Sequence, residues 1–166
     1  MKVLAVLAAS LAALAPASAT AHDIIRHAQP NIPVATSVLV PAGVDLVFVS
    51  GMLPDVADPT APMGSVERLG DTATQAKSVL GKIARELEGF DLTMADIVRM
   101  NVFLVGDPRK HGEIDLQGLM QAYMSLFGMR ALEKSLPART TVQVAGLPSA
   151  GALVEIEVIA ARHPPE

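Results

Sequence analysis

The sequence predicts an α+β domain in the order ββαβαββ, with two helices covering one face of a sheet. Three observations lead there: short apolar or alternating runs mark strands, two longer segments carry apolar residues at helical spacing, and no repeat or low-complexity tract divides the chain.

Pro30, Pro33 and Pro41 frame an extended entry and a first strand over residues 37–40. The run Asp45-Leu46-Val47-Phe48-Val49-Ser50-Gly51 is nearly continuous in apolar residues and follows the turn-prone Ala42-Gly43, the pattern of a buried strand reached through a hairpin. Residues 55–70 contain Pro59, Pro62, Gly64 and Gly70 and read as a surface loop. From Thr72 the pattern turns helical, with Ala76, Val79, Leu80, Ile83, Ala84 and Leu87 on one face. Thr72 and Gln75 have capping-box spacing, and Gly89 stands where a left-handed residue can end the helix.

A Thr93-x-x-Asp96 turn leads into a strand over residues 97–105, where Val98, Met100, Val102 and Leu104 alternate with Ile97, Arg99, Asn101 and Phe103. After Gly106-Asp107-Pro108, a second helix over 115–127 places Leu116, Leu119, Met120, Tyr123, Leu126 and Phe127 together, and Gly128 stops it. Two further strands are expected at 139–144 and 153–161, linked through 147–151.

The domain is expected to cover residues 22–166, behind a secretory signal peptide over 1–21. That leader opens on Met1-Lys2, holds 16 apolar residues among its 21, and ends in overlapping A-x-A signals at Ala17-Ser18-Ala19 and Ala19-Thr20-Ala21. Its apolar run is too short to cross a bilayer, so the expected location after cleavage is periplasmic or secreted, with no stable membrane anchor. The leader also explains much of the mean hydropathy of +0.40.

Thirteen Lys+Arg against 17 Asp+Glu give a formal net charge of −4 without a basic run, which argues against nucleic acid as a partner. The absence of cysteine excludes thiol catalysis, disulfides and Cys-ligated metals. His22, His27, His111 and His163 form no pair with metal-ligand spacing, although a cleaved terminus at Thr20-Ala21-His22 has the donor types for Cu(II).

Two features can carry chemistry. Arg139, after Pro137-Ala138 at the start of a strand, has a planar guanidinium able to grip a carboxylate with two parallel hydrogen bonds. Glu155 and Glu157 share one face of the last strand, opposite Val154, Ile156 and Val158. Spacing alone is equally satisfied by solvent-facing carboxylates and an arginine in a structural salt bridge.

Taken together, Val49-Ser50-Gly51-Met52-Leu53-Pro54, Gln75-Ala76, Asp96-Ile97-Val98 with Asn101-Val102-Phe103-Leu104, Tyr123 with Phe127, Pro137-Ala138-Arg139-Thr140-Thr141-Val142, Leu147-Pro148 and Val154-Glu155-Ile156-Glu157-Val158-Ile159-Ala160 resemble the RidA (YjgF) family of reactive-intermediate deaminases. The resemblance spans roughly residues 34–162. It implies a chorismate-mutase-like fold with a mixed sheet. It also implies a homotrimer whose sheets form a central barrel, with clefts between neighbouring subunits. Active members hydrolyse 2-imino acids or their enamine tautomers to 2-oxo acids and ammonia without metal or organic cofactor.

Carried over by position, Arg139 binds the carboxylate of a small imino or oxo acid, and Glu155 orients or activates the attacking water. Ser50 and Gly51 line the cleft, and the backbone of Thr141 helps hold substrate or water. The chain departs from the family pattern in three places. Ala35-Thr36-Ser37 stands where a cleft tyrosine is usual, Met120 where an asparagine is, and Thr141 where cysteine is frequent. The segments 55–70 and 128–136 are also longer than in compact members. These departures motivate an alternative, a non-catalytic trimer that binds small carboxylates in the same clefts.

Overall fold

The computed structural model describes residues 23–127 and 135–162. The leader, His22, His163 and most of the 128–136 segment lie outside the described residues. Six strands, β1 (Ile25–Ala28), β2 (Ala35–Leu39), β3 (Asp45–Met52), β4 (Ile97–Leu104), β5 (Ala138–Gln143) and β6 (Val154–Arg162), form one mixed sheet in the order β1-β2-β5-β4-β6-β3. β5 runs parallel to both β2 and β4, and the other pairs are antiparallel. The α-helices are α1 (Val66–Leu69), α2 (Thr72–Glu88) and α3 (Leu116–Phe127).

Hydrophobic periodicity places the core. Val79, Leu80, Ile83 and Leu87 of α2 and Leu119, Tyr123 and Phe127 of α3 bury against Met100, Val102 and Leu104 of β4 and Val154, Ile156 and Val158 of β6. Full burial of each large aliphatic side chain contributes about 1.5–3 kcal/mol, so these two helix faces and two strand faces dominate the packing. Among the described residues, no helix is long and apolar enough to cross a membrane.

Several local expectations are corrected. β2 begins two residues before the predicted strand, and β1 precedes it, adding a strand at the start of the predicted order. Every β1 residue except Arg26 is exposed, so no apolar period marked it. The hairpin between the first two predicted strands is absent: β2 pairs with β1 and β5, while β3 pairs with β6 at the opposite end of the sheet. Nor is β3 buried, because as an edge strand it leaves Leu46 and Phe48 exposed, the latter at 71%. On α3, Leu116 and Leu126 are likewise exposed, and Ala122 joins the buried face instead.

The 55–70 loop contains α1, whose N-terminus is capped by Ser65 accepting from Arg68 N. Arg68 then donates through Nη1 to the carbonyls of Pro59 and Ala61, at 2.7 and 2.9 Å, and ties the loop down.

The predicted capping box at Thr72 is replaced by a cap one residue earlier. Asp71 accepts from Thr74 N at 2.8 Å, a charged acceptor at the positive end of the helix. Gln75, released from capping, is fully buried; its amide donates to Gly70 O and Gly151 O, both at 3.0 Å, and its Oε1 accepts from Leu153 N at 2.7 Å. Gly89 is right-handed (φ −62°), and the left-handed position falls to Asp91 (φ 58°). The Thr93/Asp96 capping box is present: Asp96 accepts from Thr93 N at 2.7 Å and so fixes the turn into β4.

Candidate functional site

Arg139 sits near the start of β5, opposite Met100 of β4, with Thr141 opposite Val102. Met100 and Val102 face the helices, so Arg139 and Thr141 face them too. The guanidinium lies over the Tyr123 ring, 4.3 Å from its centroid, and Tyr123 is itself stacked on Phe127 at 4.6 Å. Both Nη1 and Nη2 donate to Sδ of Met120 at 3.5 Å. Among the described residues no carboxylate meets this guanidinium.

Burial pulls the Arg139 pKa below its ordinary value, with Tyr123 acting in the opposite sense. Burial pushes the Tyr123 phenol up to about 12, offset in part by the nearby cation, so the phenol stays protonated as a donor near neutral pH. Both Tyr123 Oη and Thr141 Oγ1 are buried without a hydrogen-bond partner. A cation and two unsatisfied hydroxyls therefore lie on one side of the sheet.

Glu155 occupies the opposite side. It pairs with Phe103 across the β4–β6 ladder, and Glu157 pairs with Asn101, whose Nδ2 donates to Glu157 Oε1 at 2.7 Å. The ladder between β3 and β6 runs from Val49↔Val158 to Met52↔Ile156, so Ser50 and Gly51 together oppose the single residue Glu157 in a β-bulge. The bulge brings the Gly51 backbone against the Glu155 carboxylate, where a Cβ would overlap Oε1. Ser50 lines a depression of about 380 Å³ with Phe48, Arg99, Asn101 and Glu157.

The structure thus brings together Ser50, Gly51 and Glu155, and separately Arg139 and Thr141. Within one chain the two groups do not meet. The small residues at 35–37 lie beside the arginine half, since Ala35 pairs with Ala138 and donates its N–H to Pro137 O at 3.0 Å. Spacing did not reveal Asn101 as the partner of Glu157; its signals were its place on the mixed face of β4 and in the family-like run Asn101-Val102-Phe103-Leu104. Nor did spacing place Met120 in the Arg139 fork. No group of three His, Cys, Asp or Glu side chains among the described residues is arranged to hold a metal ion.

A family model described as Endoribonuclease L-PSP matches residues 33–162. The chain belongs to that family, which is the YjgF (RidA) family. Solved structures of YjgF members share its fold. One from Mycobacterium tuberculosis is 22% identical, with a TM-score of 0.50 over 83% of this chain and 98% of its own. Another, from Neisseria meningitidis, is 21% identical, with a TM-score of 0.51 over 87% and 98%. A Pseudomonas aeruginosa protein of unknown function is 26% identical, with a TM-score of 0.56 over 85% and 93%. No curated protein matches at a significant level. The YjgF match begins within the β1–β2 connection and ends with β6, so it contains both halves of the candidate site.

Proposed function

We propose that the protein hydrolyses 2-imino acids, or their enamine tautomers, to 2-oxo acids and ammonia in clefts between the subunits of a homotrimer, outside the cytoplasm after removal of its leader. The observation that carries this reading is Arg139. A guanidinium seated on an aromatic ring, near two buried hydroxyls and with no carboxylate acceptor among the described residues, suits the carboxylate of a small ligand. The RidA resemblance supplies the reaction.

An imine carbon is already electrophilic, so the site needs a fixed substrate, a placed water and proton transfer. Arg139 anchors the substrate carboxylate. Glu155, held against Gly51, accepts a proton as water oxygen bonds to the imine carbon. The resulting tetrahedral adduct carries a hydroxyl and an amine on one carbon. Glu155 returns the proton to nitrogen, the carbon–nitrogen bond breaks, ammonia leaves, and the hydroxyl proton passes to the Glu155 carboxylate as the carbonyl forms. Because Arg139 and Glu155 lie on opposite sheet faces, each cleft takes Arg139 from one subunit and Glu155 from its neighbour.

The test generates imino acids with an amino-acid oxidase and follows 2-oxo acid release with and without the purified protein. Acceleration by wild type that is lost in Arg139→Ala supports the reading; equal rates with both proteins sink it. The missing aromatic at 35–37 and the methionine at 120 favour, as a second reading, a carboxylate-binding trimer without turnover. Calorimetry showing Arg139-dependent binding of 2-oxo acids alongside no acceleration would select it. RNA cleavage, the activity in the family's descriptive name, is poorly served by a chain of formal net charge −4.

A further inference from the structure

Met120 occupies a telling position. Its Sδ accepts from Nη1 and Nη2 of Arg139 at the same 3.5 Å distance, so the sulfur sits in the end-on fork of the guanidinium. A carboxylate bound bidentately to those two nitrogens would need the same place. We propose that Met120 determines specificity at this site: its thioether plugs the Arg139 fork, yields to a carboxylate, and then packs on the ligand's apolar substituent. This rests on the carboxylate-binding reading of Arg139.

Three features support it. The thioether is a weak acceptor, whereas a carboxylate forms charge-assisted bonds to the same donors, so a ligand can displace it. Met120 is half-buried on α3 beside the core and has three rotatable side-chain bonds, so it can leave the fork without moving the helix. The buried hydroxyls of Tyr123 and Thr141 remain unpartnered in the plugged arrangement, so the site is built for a polar group that Met120 does not supply.

Displacement selects among ligands. A short carboxylate removes the thioether from its contacts and offers little surface in return. One with a branched, aromatic or thioether side chain gives the displaced methionine an apolar partner. The favoured class is therefore 2-imino and 2-oxo acids with large apolar side chains.

Calorimetry of the purified protein with pyruvate and with 4-methyl-2-oxopentanoate tests this. In wild type the larger acid binds more tightly. In Met120→Ala, pyruvate binding is retained or strengthened and the preference falls about tenfold, the scale of lost apolar pocket contacts. Met120→Leu, which keeps apolar bulk but removes the acceptor, retains the preference and guards against a simple folding defect.

An unchanged preference in Met120→Ala, with both acids still Arg139-dependent, overturns the role of Met120 and leaves the carboxylate site standing. Binding unaffected by Arg139→Ala overturns the site itself, and the proposal with it.

Discussion

Arg139 and Glu155 project from opposite faces of one sheet: Arg139 shares a side with Met100 and Tyr123, Glu155 with Phe103 and the Gly51 bulge. A site that uses both residues must be completed by a second copy of the chain. Subunit mixing checks this. Arg139→Ala and Glu155→Gln are each expected to be inactive as homotrimers. Denatured together in equal amounts and refolded, they should recover about a quarter of wild-type deaminase activity, since random assembly leaves one cleft in four with both residues intact. No recovery from correctly assembled mixed trimers would mean that one chain supplies both groups.

Gly51 is the contact through which β3 positions the glutamate. A methyl group there would overlap the Glu155 carboxylate, and the flexible side chain can move where the strand cannot. Gly51→Ala should therefore preserve the melting temperature within a few degrees and reduce kcat by about tenfold or more, with carboxylate affinity little changed. Calorimetry and turnover measured on the same preparation separate the two effects. A parallel loss of ligand binding would show that Gly51 serves the arginine half.

Much of this architecture is legible in the sequence because it rests on local period. α2, α3, β4 and β6 each carry a periodic apolar stripe, and the alternation along β6 correctly puts Glu155 and Glu157 on one face. β1 has no stripe, and the neighbour of each strand is a long-range matter, so the β2–β3 hairpin was expected where β3 in fact pairs with β6. The site divides the same way. Its residues are marked by the family resemblance, but the face occupied by Arg139 follows only from its pairing with β4, and the Met120 contact joins a helix to a strand.

Gln75 should prove a stability residue. Its side chain joins the N-terminus of α2 to the segment entering β6, through Gly70 O, Gly151 O and Leu153 N. Gln75→Leu keeps the volume but strands these backbone groups, at an expected cost of about 3 kcal/mol. Gln75→Glu retains an acceptor for Leu153 N yet loses both donors and adds a charge, so it should be no better. Denaturant unfolding at neutral pH measures both, and a loss within experimental error for Gln75→Leu would show that the segment entering β6 is held by packing alone.

Asp107, 1% exposed, accepts from Arg109 through N and Nε at 2.9 Å and through Nη2 at 2.8 Å. Those bonds, first the one to the Arg109 side chain, hold its carboxyl below the ordinary value of 3.8. A carboxylate depressed in the folded state adds stability above the unfolded pKa, and that stability fades as pH falls through the folded one. The contribution is thus constant from neutral pH down to about 5, starts to fade near the unfolded value of about 4, and is lost as pH falls through the lower folded value. Asp107→Asn keeps one acceptor oxygen but loses the charge, and should be less stable than wild type by about 1–3 kcal/mol at pH 7. The gap between the two unfolding curves should narrow as pH falls below about 4, where protonation of the unfolded carboxyl removes the wild-type advantage. A gap that stays constant across this range would assign the effect of Asp107 to hydrogen-bond geometry alone.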